Sequence, residues 1–259
     1  MGWSAVINHT YSVPVTVFSD GRVALLSDAG FRSENEPDGT CAAQITRDRD
    51  RIGAVWVADA RFVLDQLTRL NSDDALLKRH LNLDAVGIYG HSFGGATAAE
   101  ALRIDTRFKA GINMDGTLFS MTASNQINQP MMWMASDYAN VTDSQLNQIQ
   151  MTRAEFTAKV QQRNAQRDAF LNKLPHGYRF VLKGSTHSTY ITDEALLSRV
   201  VPGMQDPLAT IDGVRAVTVI DAYVAAFFDP YLKQHDTNLL KGKARRSIDN
   251  EQFGPNLRV

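Results

Sequence analysis

Ala85-Val86-Gly87-Ile88-Tyr89-Gly90-His91-Ser92-Phe93-Gly94-Gly95-Ala96-Thr97-Ala98-Ala99-Glu100-Ala101-Leu102 is the stretch on which the fold of this chain turns. Ala85 to Tyr89 is a compact apolar run, the pattern of a strand covered on both faces. Ala96 to Leu102 is rich in small residues that favour a helix. Between them, Gly90-His91-Ser92-Phe93-Gly94-Gly95 joins strand to helix directly. In a turn this tight the serine adopts a strained backbone, and the glycines two residues to either side let strand and helix approach without Cβ clashes. The strain lifts the Ser92 hydroxyl above the sheet, where a nucleophile is useful. A G-x-S-x-G string alone also occurs in ordinary glycine-rich turns. The strand before it and the helix after it make the difference.

Strands and helices alternate on either side of this unit. Ala5 to Asn8 reads as a short strand, and Val13 to Phe18 with Val23 to Leu26 flank Ser19-Asp20-Gly21-Arg22, a hairpin-turn composition. Residues 28 to 51 are polar and charged and predict a surface loop. Trp56, Ala60, Val63, Leu67 and Leu70 form one face of an amphipathic helix. Lys109 to Met114, Met131 to Ala135 and Tyr178 to Leu182 read as strands, the last of them closing the sheet. Thr152-Arg153-Ala154-Glu155 is a capping box opening a polar helix that runs to about Leu174. Its polarity predicts a helical insertion, about 142 to 175, outside the core. Val217, Ile220, Val224 and Phe227 give a final helix. The expected fold class is α/β, a mostly parallel sheet with helices on both faces. The domain runs from 1 to 235 and is followed by a charged tail, 236 to 259.

Composition restricts the function classes. The 259 residues are 44% hydrophobic and 21% charged, the balance of a globular domain with a sizeable core. Lys plus Arg total 27 against 28 for Asp plus Glu, so no overall field draws nucleic acid or an anionic membrane. A small neutral partner fits better. The single cysteine, Cys41, excludes an internal disulfide framework. No apolar stretch is long enough to span a bilayer, and Met1-Gly2-Trp3-Ser4 lacks the plan of a signal peptide. His, Cys, Asp and Glu do not cluster at metal-ligand spacings, so neither metal nor cofactor is expected.

A serine hydroxyl needs a histidine to take its proton and a carboxylate to hold that histidine in one tautomer. Of the six histidines, His176, His187 and His235 follow Ser92. His187, in Gly184-Ser185-Thr186-His187-Ser188, lies just beyond a strand and so at the same sheet edge as the serine. His176 precedes that strand, at the opposite edge, and His235 sits in the tail. His91 adjoins the nucleophile and is expected to pack or hydrogen-bond near the turn; His9 and His80 read as structural. Two carboxylates qualify as the acid: Asp115 follows the strand ending at Met114, and Asp137 follows the next strand. Pattern alone leaves both open. Asp59, Asp65 and Asp84 precede the turn and read as solvated or capping residues.

The blocks Gly90-His91-Ser92-Phe93-Gly94-Gly95-Ala96-Thr97, Ala110-Gly111-Ile112-Asn113-Met114-Asp115-Gly116, Gln129-Pro130 and Gly184-Ser185-Thr186-His187 resemble, in this order, those of the platelet-activating factor acetylhydrolase-like α/β-hydrolases. The resemblance covers roughly residues 1 to 235 and is weakest over the polar insertion. It implies an α/β-hydrolase fold and a Ser92, Asp115, His187 triad, favouring Asp115 as the acid. It also implies hydrolysis of short acyl esters, including acetyl groups on phospholipid-like molecules. The oxyanion is expected to accept a hydrogen bond from the backbone N–H of Phe93. A second donor normally comes from a glycine-containing loop after an early strand, whereas His9-Thr10-Tyr11-Ser12 has no glycine. The chain is therefore expected to start late relative to the family, without its first strands and with Phe93 as the sole backbone donor. Leu118, Phe119, Met121, Met132, Trp133 and Met134 are candidates for an acyl pocket. The same residues fit two alternatives: a non-catalytic relative or inactive fragment that keeps the turn as architecture, and a dienelactone hydrolase, thioesterase or polyester hydrolase differing only in its pocket.

Overall fold

The computed structural model describes residues 15–17, 21, 23–25, 42–124, 126–138, 141–148, 150–191, 201, 208–235, 239–240 and 247–249. The expected strand Ala5 to Asn8, His9, Cys41 and most of the 236–259 tail lie outside the described residues. The chain divides into two compact units, Met1–Leu83 with Phe119–Ser124, and Asp84–Leu118 with Asn125–Val259.

In the first unit, β1 (Val15–Val17) pairs antiparallel with β2 (Val23–Leu25), Val15 opposite Leu25, which is the expected hairpin. Helix α1 spans Ala42–Asp73 and corrects the expectation of a loop over 28 to 51, because residues 42 to 51 are helical. The charged run Arg47 to Arg51 masks the helical signal. Within it Ile45 and Ile52 are buried in phase with Val57, Ala60 and Leu64, and Gln44 exchanges side-chain hydrogen bonds with Asp48 and Arg47 at i+4 and i+3. The short helix α3 (Ser120–Ser124) starts where the Ser120 N–H donates to Asp50 at 3.0 Å. Phe119 is buried with its ring against Gly53 of α1.

The second unit is built on five parallel strands in sequential order: β3 (Val86–His91), β4 (Phe108–Met114), β5 (Met131–Ser136), β6 (Gly177–Leu182) and β7 (Ser247–Asp249). β7 corrects the reading of Tyr178 to Leu182 as the closing strand; three residues are too short to show a period against a polar background. Helix α2 (Phe93–Ile104) links β3 to β4; α4 (Asp143–Gln148) and α5 (Arg153–Leu171) lie between β5 and β6; α6 (Gly213–Phe228) follows β6 and runs into a π-helical turn, Asp229–Lys233. The Thr152–Glu155 capping box is formed in full.

Strand alternation sorts side chains between two layers. Ala110, Ile112, Met114, Met132, Met134, Phe180 and Leu182 share one face and pack with Tyr190 and with Ala216, Val219, Tyr223 and Phe227 of α6. The buried stripe of α6 is thus displaced by about one residue from the one expected, and Ile220 and Val224 are its flanks. On the other face Gly111 meets Leu102 of α2, and Trp133 stands edge-on to Phe170 of α5, ring centroids 6.1 Å apart. α5 therefore covers the sheet instead of standing outside the core. Met132, Trp133 and Met134 are buried core residues, not free pocket walls, and Met121 is exposed.

Candidate active site

Ser92 sits between β3 and α2 with φ 58° and ψ −121°, a region that non-glycine residues rarely adopt and that costs about 1–3 kcal/mol. Its own N–H donates to the Met114 carbonyl at 2.9 Å, and its carbonyl accepts from Gly95 and Ala96, so the strained residue is held from both sides. A Cβ on Gly90 would run into the backbone of Gly94, which is the close strand–helix approach the motif requires. The motif's second glycine differs from expectation: a Cβ on Gly94 meets nothing within 4 Å. Gly116 takes that part instead, since a Cβ there would collide with the Ser92 carbonyl oxygen.

Three side chains meet at the carboxyl edge of the sheet. Ser92 Oγ lies 2.9 Å from His187 Nε2, and His187 Nδ1 lies 2.9 Å from Asp115 Oδ2. An ionised carboxylate only accepts, so Nδ1 carries the hydrogen and Nε2 is left to accept from the serine. His187 begins a 3-10 turn, His187–Tyr190, and its N–H donates to the Tyr138 hydroxyl at 3.1 Å. Asp115 also has a positive φ, 52°, and its N–H donates to Met134 O at 2.7 Å, fixing it across β4 and β5. Asp137 has a different place. Its carboxylate accepts the Gly184 N–H at 3.2 Å and its N–H donates to the Ser185 carbonyl, bracing the loop that presents His187.

The Asp115 carboxyl is almost fully enclosed. Burial alone pushes it up, but it is held below the ordinary value by the His187 hydrogen bond, the Arg163 cation, and the Ser136 N–H and hydroxyl. Ser136 donates from N–H to Oδ1 at 3.1 Å and from Oγ to Oδ2 at 2.7 Å. Burial, followed by the facing His187 ring, lowers His91 to about 4, so its imidazole is neutral at neutral pH. Tyr138 and Tyr190 are raised, chiefly by burial and then by the Asp115 charge. Phe93 is the first residue of α2, and its carbonyl accepts from Thr97 Oγ1 at 2.9 Å. His176 and His80 are exposed, as is His235 beyond α6, and none of these belongs to the cluster.

The family model described as platelet-activating factor acetylhydrolase, isoform II, matches residues 63–252, most of the chain. The chain belongs to this family. The platelet-activating factor acetylhydrolase of Cavia porcellus is 27% identical over 192 residues, 73% of this chain and 39% of that protein. That of Bos taurus is 37% identical over 70 residues, 26% of this chain and 16% of that protein. The chain thus spans well under half the length of these relatives. A ferulic acid esterase from Streptomyces cinnamoneus superposes with a TM-score of 0.66 at 24% identity, over 92% of this chain and 61% of that one, a likeness of fold.

In this acetylhydrolase-family chain three residues around the Ser–His–Asp cluster escape a reading of motifs, Ser136, Tyr138 and Arg163, as does the acceptor role of the His187 carbonyl toward His91. Ser136 and Tyr138 flank Asp137, so their position after a strand was the available signal. Arg163 carries none in sequence, because it reaches Asp115 across 48 residues from a helix that reads as surface. Among the described residues, no group of three or more His, Cys, Asp or Glu could hold a metal ion, and no helix is long and apolar enough to cross a membrane.

Proposed function

We propose that the chain is a serine carboxylic-ester hydrolase that cleaves short acyl esters through Ser92, His187 and Asp115. The observation that supports this most directly is the unbroken run of 2.9 Å contacts from Ser92 Oγ through the imidazole to the buried Asp115 carboxylate. Ser92 Oγ attacks the ester carbonyl while His187 Nε2 takes its proton, and the tetrahedral oxyanion accepts from the Phe93 N–H at the positive end of α2. Collapse expels the alcohol, which receives the proton from His187. Water then attacks the acyl-Ser92 ester, giving its proton to Nε2, and the acid leaves with Ser92 restored. Asp115 stays ionised throughout, stabilising the transient imidazolium.

The curated relatives are acetylhydrolases by name, so an acetyl ester is the first substrate to test, with phospholipid-like acetyl esters after it. No cofactor takes part in the scheme. The deciding experiment is labelling with a fluorophosphonate alongside p-nitrophenyl acetate hydrolysis. Labelling at Ser92, with turnover abolished in S92A and H187A that remain folded, supports the reading. Turnover retained in either variant overturns it, because members of a triad act as one unit.

A further inference from the structure

Phe156, Val160, Arg163, Arg167 and Phe170 fall on one face of α5, partly or fully buried along a helical stripe. Two of these inward positions hold arginine. A cation turned toward a core demands a partner, and for Arg163 the partner is Asp115: one nitrogen, Nη2, donates to Oδ2 at 2.8 Å and to the backbone carbonyl at 2.7 Å. Oδ2 of Asp115 therefore receives three donors, His187 Nδ1, Ser136 Oγ and Arg163 Nη2. The carboxylate is shared between the imidazole and a permanent cation. The carbonyl contact bears on the other peculiarity of Asp115, its positive φ: Arg163 ties down the strained peptide from outside the sheet.

Resting on the Ser92–His187–Asp115 reading, we infer that Arg163 is a positioning residue for the acid, locking Asp115 in its strained conformation and drawing carboxylate charge away from His187. The enzyme then works at lower pH than it would without the cation. Among the described residues, the groups facing this cluster are few. β3 contributes His91, neutral except in acid. The segment after β5 contributes Tyr138 and Asp137, and the 3-10 turn contributes Tyr190, both tyrosines being raised and hence neutral. α5 contributes Arg163, and also Arg167, whose weaker field also reaches Asp115. Of the two cations, Arg163 is the one in contact.

The test is the pH profile of kcat/KM for p-nitrophenyl acetate in wild type, R163M, R163Q and R163K, each normalised to active sites counted by fluorophosphonate. R163M and R163Q should move the acid limb up by about half to one unit, a loss of about three- to tenfold on that limb, with a smaller loss on the alkaline plateau. R163K, which keeps the charge, should hold the limb near its wild-type position. If R163M fails to fold, R163Q and R163K still decide. An equal fall at every pH with the limb unmoved overturns the inference, as does a limb that moves as far in R163K as in R163Q. Failure of the underlying triad shows separately, as wild-type turnover without labelling at Ser92.

Discussion

His91 donates from Nε2 to the backbone carbonyl of His187 at 2.9 Å, and the two imidazoles face each other with centroids 4.5 Å apart. The residue beside Ser92 thus grips the main chain of the residue opposite it. Because burial lowers His91 from 6.5 to about 4, the folded protein leaves it neutral where the unfolded chain protonates it. The unfolded state binds more protons in that window, so stability is complete above 6.5 and falls as pH drops toward 4, by on the order of 3 kcal/mol. Asp115, also depressed, adds loss only below 3.8. Denaturation at a series of pH values should show the upper decline in wild type and a flatter curve in H91F. An equally steep decline in H91F would assign the proton uptake elsewhere.

Asp115 and Asp137 occupy neighbouring strand ends and are separated by what they touch. D115N should lose about 10⁴ in kcat, since an amide no longer enforces the His187 tautomer. In D137N the asparagine oxygen can still accept from Gly184, so kcat should stay within about tenfold of wild type. Steady-state kinetics with the reverse ranking would transfer the acid to the later strand.

Gly94 and Gly116 reverse their apparent importance. A methyl group at Gly94 has open space and lies in α2, so G94A should keep or raise stability by about 0.5–1 kcal/mol. At Gly116 it strikes the Ser92 carbonyl, and G116A should cost more than about 3 kcal/mol or prevent folding. Urea denaturation of both variants makes the comparison. Equal destabilisation would mean that the G-x-S-x-G spacing, not the contact with residue 116, governs packing at the turn.

Phe170 tests whether α5 belongs to the core. It is buried against Trp133, and F170A should cost about 3–5 kcal/mol of unfolding free energy. A loss under about 1 kcal/mol would return α5 to the surface.

Local order was legible because it is written in local terms. An apolar run, a small-residue helix and the glycines around Ser92 make a strand–turn–helix from adjacent residues, and the Thr152–Glu155 box forms between residues three apart. Chain order along a parallel sheet then brings the ends of β3, β4, β5 and β6 to one edge, which is why Ser92, His187 and the two carboxylates Asp115 and Asp137 are legible as candidates, with Asp115 favoured only by the family resemblance. The charged start of α1 reads as loop in sequence because its helical phase rests on Ile45 and Ile52 amid Arg and Asp. The choice between Asp115 and Asp137 was different in kind: both follow a strand, and only the three-dimensional path decides which carboxylate reaches Nδ1 and which props Gly184. The burial of α5 and the reach of Arg163 to Asp115 were also beyond sequence. Hydrophobic periodicity counts arginine as polar, whereas an arginine whose charge is met across 48 residues can face inward, and that meeting exists only once the chain has folded.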